Sequence, residues 1–349
     1  MAKDKGNSKQ QLLALLAVAV VFIAAAYFIF SSEYSSTGNA VANPIVKNGM
    51  TGYAVDENSP EYFPPYAQNS NLGLDGYPAA SLIFPYYYSS SDYNADTVFS
   101  IINMANETIR VHLFFILGSS CSEANAYITL SPYDKEVFNA SERLPDETGF
   151  LMAFVVDEQG NFINKNVLIG SARLWSDATQ AIQQPYTGEY HAFGFKGIGT
   201  TGRTLQTKFD DVNYEKWPNI AIVPSINSPS THIDSIVLVS PNTVGSIFGL
   251  LYDDQEKPYS IQTTQTTCQF IKKISTDSGF PRTATPLTTI IPSGRTGWME
   301  LSSADRGIIG LQFKYNNNND YMLGVEQLYG ACSVNCPVTE ISLETGGAQ

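Results

Sequence analysis

The segment GFKGIGTTGRT comes nearest to a known cofactor-binding motif. Gly197, Gly199 and Gly202 match the G-x-G-x-x-G pattern of dinucleotide-binding loops, and the same stretch nearly matches a P-loop. Arg203 stands where a P-loop has its lysine, and the following TLQTKFDD has no helical stripe that would direct a helix N-terminus at a phosphate. These glycines therefore indicate a flexible connection between domains and not a nucleotide site.

Hydrolytic chemistry also lacks a matching pattern. GSIFG, residues 245–249, places its serine one position too early for a G-x-S-x-G nucleophile elbow. The three histidines, His112, His191 and His232, lie far apart, and no H-E-x-x-H motif occurs. A glycosidase needs only two carboxyl groups, which sequence alone cannot pair. An extracellular glycan-acting enzyme therefore remains one alternative.

Two clusters of oxygen-bearing side chains suit calcium, namely YDDQE at 252–256 and NNNND at 316–320. Both are also typical of polar turns between strands, and neither follows the EF-hand spacing. The sequence accordingly predicts no cofactor, with calcium at either cluster as the alternative.

The four cysteines favour disulfide bonds over a metal site. Cys121, Cys268, Cys332 and Cys336 form no CxxC pair, and no histidine cluster accompanies them. Outside the cytoplasm such cysteines are usually oxidised, and four of them allow three pairings, which stay open. Cys332 and Cys336 are expected to restrain the C-terminal segment.

Charge argues against a nucleic-acid partner. The net charge is −13 and the isoelectric point is near 4.6, whereas nucleic-acid recognition needs a basic face. Only 15% of residues are charged, and Tyr, Phe and Gly are abundant, as in chains of many short strands.

Residues 12–30 form an uncharged apolar run of a length that spans a membrane as a helix. Lys3, Lys5 and Lys9 precede it, so residues 1–11 are expected in the cytoplasm and the remainder outside, as a single-pass membrane protein. A cleaved signal peptide is the alternative, whereas a type IV pilin leader is not, because the required glutamate is missing. Residues 31–76 are predicted to be a Pro/Ser/Tyr-rich spacer. Asn106 and Asn139 begin N-glycosylation sequons on the expected outer side.

An ordered series of landmarks occurs twice downstream. Pro85 and Pro224 each follow an apolar triplet and precede a β-branched run that ends 18 positions later, at Asn103 and Asn242. A second apolar run follows, then a proline six positions before Phe138 or Trp298, then a glycine that opens an apolar segment at 149 or 307. The series indicates that one β unit is used twice, with Phe138 and Trp298 at corresponding core positions.

Alternating apolar runs broken by Gly, Pro, Asn and Asp favour short strands. The predicted fold is all-β, with two tandem β-sandwiches, Ig-like or jelly-roll-like, after the N-terminal transmembrane helix. The sandwiches are expected at 77–175 and 218–345, joined by a Gly/Thr-rich segment at 176–217.

The stretches LIFPYY, TVFSIIN, VHLFFILGSSC and IIPSGRTGW resemble a group of uncharacterised exported bacterial proteins of β-rich sequence. The resemblance covers most of residues 78–315 and rests on strand and turn patterns. It implies an exported β protein and carries over no activity and no functional residue.

These patterns predict a non-catalytic, membrane-anchored cell-surface protein with a structural or adhesive role, bound to the membrane through its N-terminal helix. A self-assembling filament or surface-layer subunit is the second alternative, so expected partners are copies of the chain or surface polymers. The longer second copy adds a candidate recognition loop from about 253 to 268, with Asp253, Asp254, Glu256 and Tyr259 as its contact residues. A tolerated insertion without a role is the other interpretation of this loop.

Overall fold

The computed structural model describes residues 77–176, 186–199, 207–230, 232–275, 280–316, 322–332, 336–341 and 343. It is all-β, as the sequence predicts. The strands are β1 (Ser81–Tyr88), β2 (Ala95–Asn103), β3 (Ile109–Leu117), β4 (Glu123–Leu130), β5 (Lys135–Asn139), β6 (Thr148–Val156), β7 (Leu168–Ser176), β8 (Tyr186–His191), β9 (Phe193–Phe195), β10 (Lys208–Phe209), β11 (Ile220–Asn227), β12 (His232–Val239), β13 (Gly245–Tyr252), β14 (Pro258–Gln265), β15 (Gln269–Ile274), β16 (Thr296–Ser303), β17 (Ile309–Asn316), β18 (Met322–Gln327), β19 (Tyr329–Ala331) and β20 (Thr339–Glu340). A 3₁₀ turn at Ala140–Glu142 and a short helix α1 at Leu287–Ile290 complete the described elements.

Four large sheets contain most of the strands, and the second half of the chain repeats the pairing order of the first. Sheet 1 has the order β5-β2-β7-β8 and sheet 2 the order β4-β3-β6-β1-β9. Sheet 3, β15-β12-β17-β18, and sheet 4, β14-β13-β16-β11-β19, have the same orders with every strand number raised by ten. The two copies therefore share one antiparallel topology.

Two equivalent bulges confirm that Pro85 and Pro224 correspond. The β1–β6 register shifts between Phe84 and Tyr87, and the β11–β16 register shifts between Val223 and Ile226. Each shift contains the proline, because proline has no N–H to donate to a neighbouring strand and is tolerated within a sheet at such irregularities.

Two equivalent glycines mark a second shared feature. A Cβ at Gly149 would lie 1.9 Å from the Ile116 carbonyl oxygen, and one at Gly297 would lie 2.4 Å from the Tyr252 carbonyl oxygen. Only glycine permits so close an approach of two backbones.

The later landmarks of the sequence repeat were matched wrongly. Phe138 lies in β5, whereas Trp298 lies in β16, a strand that corresponds to β6. The structural counterpart of Phe138 is Phe270 of β15, because Phe138 pairs with Phe99 of β2 as Phe270 pairs with Leu238 of β12. Both phenylalanines are buried, at 4% and 0% exposure.

The prediction of two tandem β-sandwiches is wrong, because the four sheets form a four-bladed β-propeller. Sheet 3 shows why separate sandwiches do not form. Ile236 and Leu238 of β12 belong to the core of the second half, whereas the alternate residues Val237 and Val239 belong to the core of the first. Since successive side chains of a strand point to opposite faces, sheet 3 is buried on both of them.

No helix within the described residues is long and apolar enough to cross a membrane. This finding stands against the prediction of a single-pass membrane protein. The predicted cytoplasmic segment 1–11, the predicted span 12–30 and the predicted spacer 31–76 lie outside the described residues.

The segment at 176–217 supplies core residues in its described part. Phe209, Tyr214 and Trp217 are fully buried. The Phe209 ring lies 5.2 Å from Phe195, and the Trp217 ring stacks on Phe195 at 5.4 Å between centroids. This stretch therefore belongs to the fold. The domain boundaries at 77–175 and 218–345 stay a prediction.

All four cysteines form disulfides, as expected. Cys121 is bonded to Cys268, which joins the β3–β4 turn to the start of β15 across 147 positions of sequence, and Cys332 is bonded to Cys336. The first bond links the two copies.

Replacing Cys121 and Cys268 together by alanine is expected to destabilise the fold markedly. In the chain-entropy model, opening a loop of this length costs about 5 kcal/mol, against about 2 kcal/mol for the short Cys332–Cys336 loop. Urea unfolding of the two double-alanine variants measures the difference. Equal losses in both variants would contradict the linking role of the first bond.

Trp217→Ala is expected to reduce the free energy of unfolding by about 3–5 kcal/mol, because it leaves a cavity among Phe195 and Phe209. Val212→Ala, in the same segment but 67% exposed, is expected to change it by less than about 0.5 kcal/mol. Thermal unfolding distinguishes the two, and a small effect at Trp217 would restore the interpretation of a linker.

Candidate functional site

The outward face of sheet 4 carries a partly exposed set of aromatic and apolar side chains. Along β13 and β16 every second residue is buried, so the intervening residues point away from the core. Strand register places three of these in direct cross-strand pairs: Tyr252 opposite Trp298, Leu250 opposite Glu300, and Phe248 opposite Ser302. We call these six residues the sheet 4 outer face.

Tyr252 and Trp298 form an aromatic pair at one end of this face. The rings of Tyr252 and Trp298 stack at 4.1 Å between centroids, with an 8° angle between their planes. Phe248 at the other end is 49% exposed, which leaves a large apolar ring in water. Covering such an apolar surface with a partner lowers the free energy of the system.

One carboxyl group lies in the middle of the apolar face. Glu300 pairs with Leu250 on one side and with Ile222 of β11 on the other. Burial raises the pKa of Glu300, because the apolar neighbours disfavour its charged form. Burial also raises the pKa of Tyr252, and the negative charge of Glu300 adds to that shift.

The equivalent face of sheet 2 is covered. The corresponding pairs there are Ile116 with Phe150, Phe114 with Met152, and His112 with Phe154, and all six residues are buried. Phe162 and Tyr214 pack on Phe154, at 4.9 and 5.7 Å between ring centroids. The same surface is thus interior in the first copy and exposed in the second.

The predicted recognition loop is a tight turn followed by β14. Asp253 is largely buried, and its Oδ1 accepts backbone N–H bonds from Gln255 and Lys257, each at 2.9 Å. The Tyr259 hydroxyl donates to Asp253 Oδ2 at 3.3 Å, and its ring packs against the core of the second half. Asp253 and Tyr259 therefore shape the turn from within.

The other two residues of this turn are exposed. Asp254 forms an ion pair with Arg295, and Glu256 adopts a positive φ of 62°. A binding role for this turn stays a prediction. The structure places this turn beside Tyr252, at the end of β13, and so next to the Tyr252–Trp298 pair.

The predicted calcium clusters receive no support from geometry. Among the described residues no group of three or more His, Cys, Asp or Glu side chains is arranged to hold a metal ion. Residues 317–320 of the second cluster lie outside the described residues.

The sequon residues both lie at the ends of strands. Asn106 is exposed in the turn between β2 and β3. Asn139 ends β5, and its Nδ2 donates to Glu142 Oε1 at 3.0 Å. Glycosylation of either residue stays a prediction.

His112 has no access to solvent. Its ring lies 3.9 Å from that of Phe114 and 4.0 Å from that of Tyr127, and the Arg110 guanidinium lies 3.9 Å from the Tyr127 centroid. Burial lowers the pKa of His112 to about 4, a polar contact with Asn125 acts in the opposite direction, and the charge of Arg110 lowers it further. The neutral, buried ring is a packing element and not an accessible base.

The glycine motif does not continue into a described helix. Gly197 donates its N–H to Asn166 Oδ1 at 2.7 Å, and Gly199 adopts a φ of +105°. Gly202 and Arg203 lie outside the described residues.

Comparison with known proteins defines no class for this chain. No known protein family and no curated protein matches the sequence. Among solved structures, the chain is similar to the crystal structure of Thermotoga maritima 1070, at 12% identity and a TM-score of 0.27. That match covers 33% of this chain and 94% of the other.

Sequence reasoning missed the sheet 4 outer face as a unit. It located Trp298, but as a core residue, and it took Tyr259 and not Tyr252 as the exposed aromatic contact. In β13, Phe248, Leu250 and Tyr252 alternate with small or apolar residues, and this alternation indicated that the three side chains share one face. The sequence did not show which of the two alternating groups of residues faces outward.

Glu300→Gln is expected to stabilise the protein at neutral pH. A raised folded-state pKa means that folding disfavours the charged carboxyl, so the cost is absent below the unfolded pKa and grows as pH rises through the folded pKa. The unfolding free energy of the variant relative to the unsubstituted chain should therefore increase across that interval. Urea unfolding at a series of pH values measures it, with the exposed Glu158→Gln as control. A pH-independent difference would contradict the burial of Glu300.

Proposed function

We propose that the protein is non-catalytic and has a structural or adhesive role, with the sheet 4 outer face as its attachment surface. The observation that carries this proposal is the set formed by the exposed Phe248, the half-buried Leu250 and the half-buried, stacked Tyr252–Trp298 pair on a regular sheet. An apolar surface rimmed by polar side chains is typical of an interaction site.

The chemistry of this face favours attachment over catalysis. A glycosidase requires two carboxyl groups flanking a bond, whereas the strand neighbours of Glu300 are Leu250 and Ile222. Aromatic side chains offer large contact areas at a small cost in side-chain entropy, which suits binding to a polymer or a protein surface.

Phe248→Ser is expected to weaken attachment at least about tenfold, since covering the exposed part of a phenylalanine contributes on the order of 1.4 kcal/mol. Ile271→Ser is the matched control, because Ile271 is 45% exposed but lies in sheet 3. Co-sedimentation with insoluble cellulose, chitin and peptidoglycan, together with light scattering for self-association, measures attachment.

Two results would overturn the proposal. One is equal attachment of the Phe248 and Ile271 variants in every assay. The other is release of soluble products from a glycan that disappears when a single carboxyl residue is replaced, which would show an enzyme.

A further inference from the structure

The first copy of the repeat shows how a face equivalent to the sheet 4 outer face is covered within one chain. The equivalent face of sheet 2 is packed against sheet 3. Phe313 of β17 contacts Tyr86 at 5.1 Å between ring centroids, and Gln269 of β15 donates to the carbonyl oxygens of Pro85 and Gly149, at 3.3 and 3.0 Å. Sheet 3 thus docks on sheet 2 through its own outward residues.

Sheet 1 is the counterpart of sheet 3, and its corresponding residues are accessible. Val98 pairs with Arg173 in sheet 1 in the same register in which Val237 pairs with Leu311 in sheet 3. Val237 and Leu311 are buried against the first half, whereas Val98 is half-buried and Arg173 is exposed. The face of sheet 1 that corresponds to the docking surface of sheet 3 is therefore open to solvent at Arg173 and partly open at Val98.

A third equivalence extends this surface to its edge. Val137 of β5 occupies the position of Gln269, because the neighbouring Phe138 and Phe270 correspond. Gln269 is 4% exposed at the contact between sheets 3 and 2, and Val137 is 52% exposed. The exposed Val137 of sheet 1 thus stands where sheet 3 has Gln269, whose buried side-chain amide binds sheet 2.

From these correspondences we propose that the sheet 4 outer face binds sheet 1 of a second copy of this chain, in the way that sheet 2 binds sheet 3 within one chain. This inference rests on the proposed attachment role of the face. The contact is heterologous, because two different surfaces meet, so a pair of copies keeps one free surface of each kind. Repetition of the contact builds a head-to-tail filament, or a ring where the rotation closes.

Charge supports the choice of partner. The internal contact has Met152 on sheet 2 and Leu311 on sheet 3, both in one apolar core. At the equivalent positions sheet 4 has Glu300 and sheet 1 has Arg173. Two positions that are apolar in the internal core thus have residues of opposite charge on the two outer surfaces, and opposite charges across an interface favour the correct partner and register.

Charge reversal of the full-length protein tests the contact. Glu300→Arg and Arg173→Glu, each alone, place like charges on the two surfaces and are expected to weaken self-association at least about tenfold. The variant with both substitutions restores opposite charges and is expected to recover association. Analytical ultracentrifugation over a range of protein concentrations, with electron microscopy of the assemblies, measures both.

Mixing the two single variants gives a sharper result. In the mixture, Arg173 of the Glu300→Arg protein faces Glu300 of the Arg173→Glu protein, and the two substituted residues face each other in the opposite combination, so both contacts join opposite charges. The mixture is therefore expected to recover assembly with the two variants in alternation, although each variant alone stays dissociated, and failure of the mixture to assemble would count against the contact.

Variants away from position 300 keep the test independent of local folding. Val137→Glu adds a charge to the sheet 1 surface and is expected to block assembly, whereas Ile271→Glu, equally exposed on sheet 3, is not. A monomer at every concentration up to about 1 mM, or failure of the double charge reversal to recover association, would overturn the inference. If polymer attachment is nevertheless lost in Phe248→Ser, the proposed attachment role stands and only the second copy as its partner is wrong.

Discussion

The fold depends on β12 of sheet 3, a strand that is apolar on both faces from Ile236 to Val239. In β12 the residues Ile236, Val237, Leu238 and Val239 follow one another without a break. Because successive side chains point to opposite faces, both faces of this strand are apolar. Water can cover neither face favourably, and the chain must therefore supply two layers, one from each copy of the repeat. This requirement brings the copies together, and the Cys121–Cys268 bond then joins them covalently at the edge of the same sheet.

Local features could be predicted from sequence to the extent that they depend on neighbours along the chain. Alternation predicted strands at the correct places, and the prolines at 85 and 224 marked equivalent bulges, because a missing N–H has the same effect wherever it occurs. The later landmarks failed for the opposite reason. Phe138 and Trp298 share a spacing from a proline, but that spacing crosses turns of different length, and turn length does not follow from the identity of the strands.

Which faces are covered could not be predicted, because coverage depends on contacts between distant segments. Alternating residues in β13 and β16 are compatible with either set pointing inward. The same sequence logic made the 176–217 segment a linker, although Tyr214 and Trp217 of that segment are buried in an aromatic cluster. Aromatic residues within a glycine-rich stretch were the available sign that this segment packs. Function was underdetermined for a related reason, since a binding surface built from ordinary strand residues has no motif.

Duplication has left the two copies under different constraints at corresponding positions. Met152 lies in a sealed interior, where any change of size or charge disturbs several packed neighbours. Glu300, its counterpart, is half-buried and borders on solvent, with Leu250 and Ile222 as its cross-strand neighbours. One copy thus preserves the architecture while the other is free to vary, so that new specificities can arise on a surface whose twin already guarantees a stable sheet.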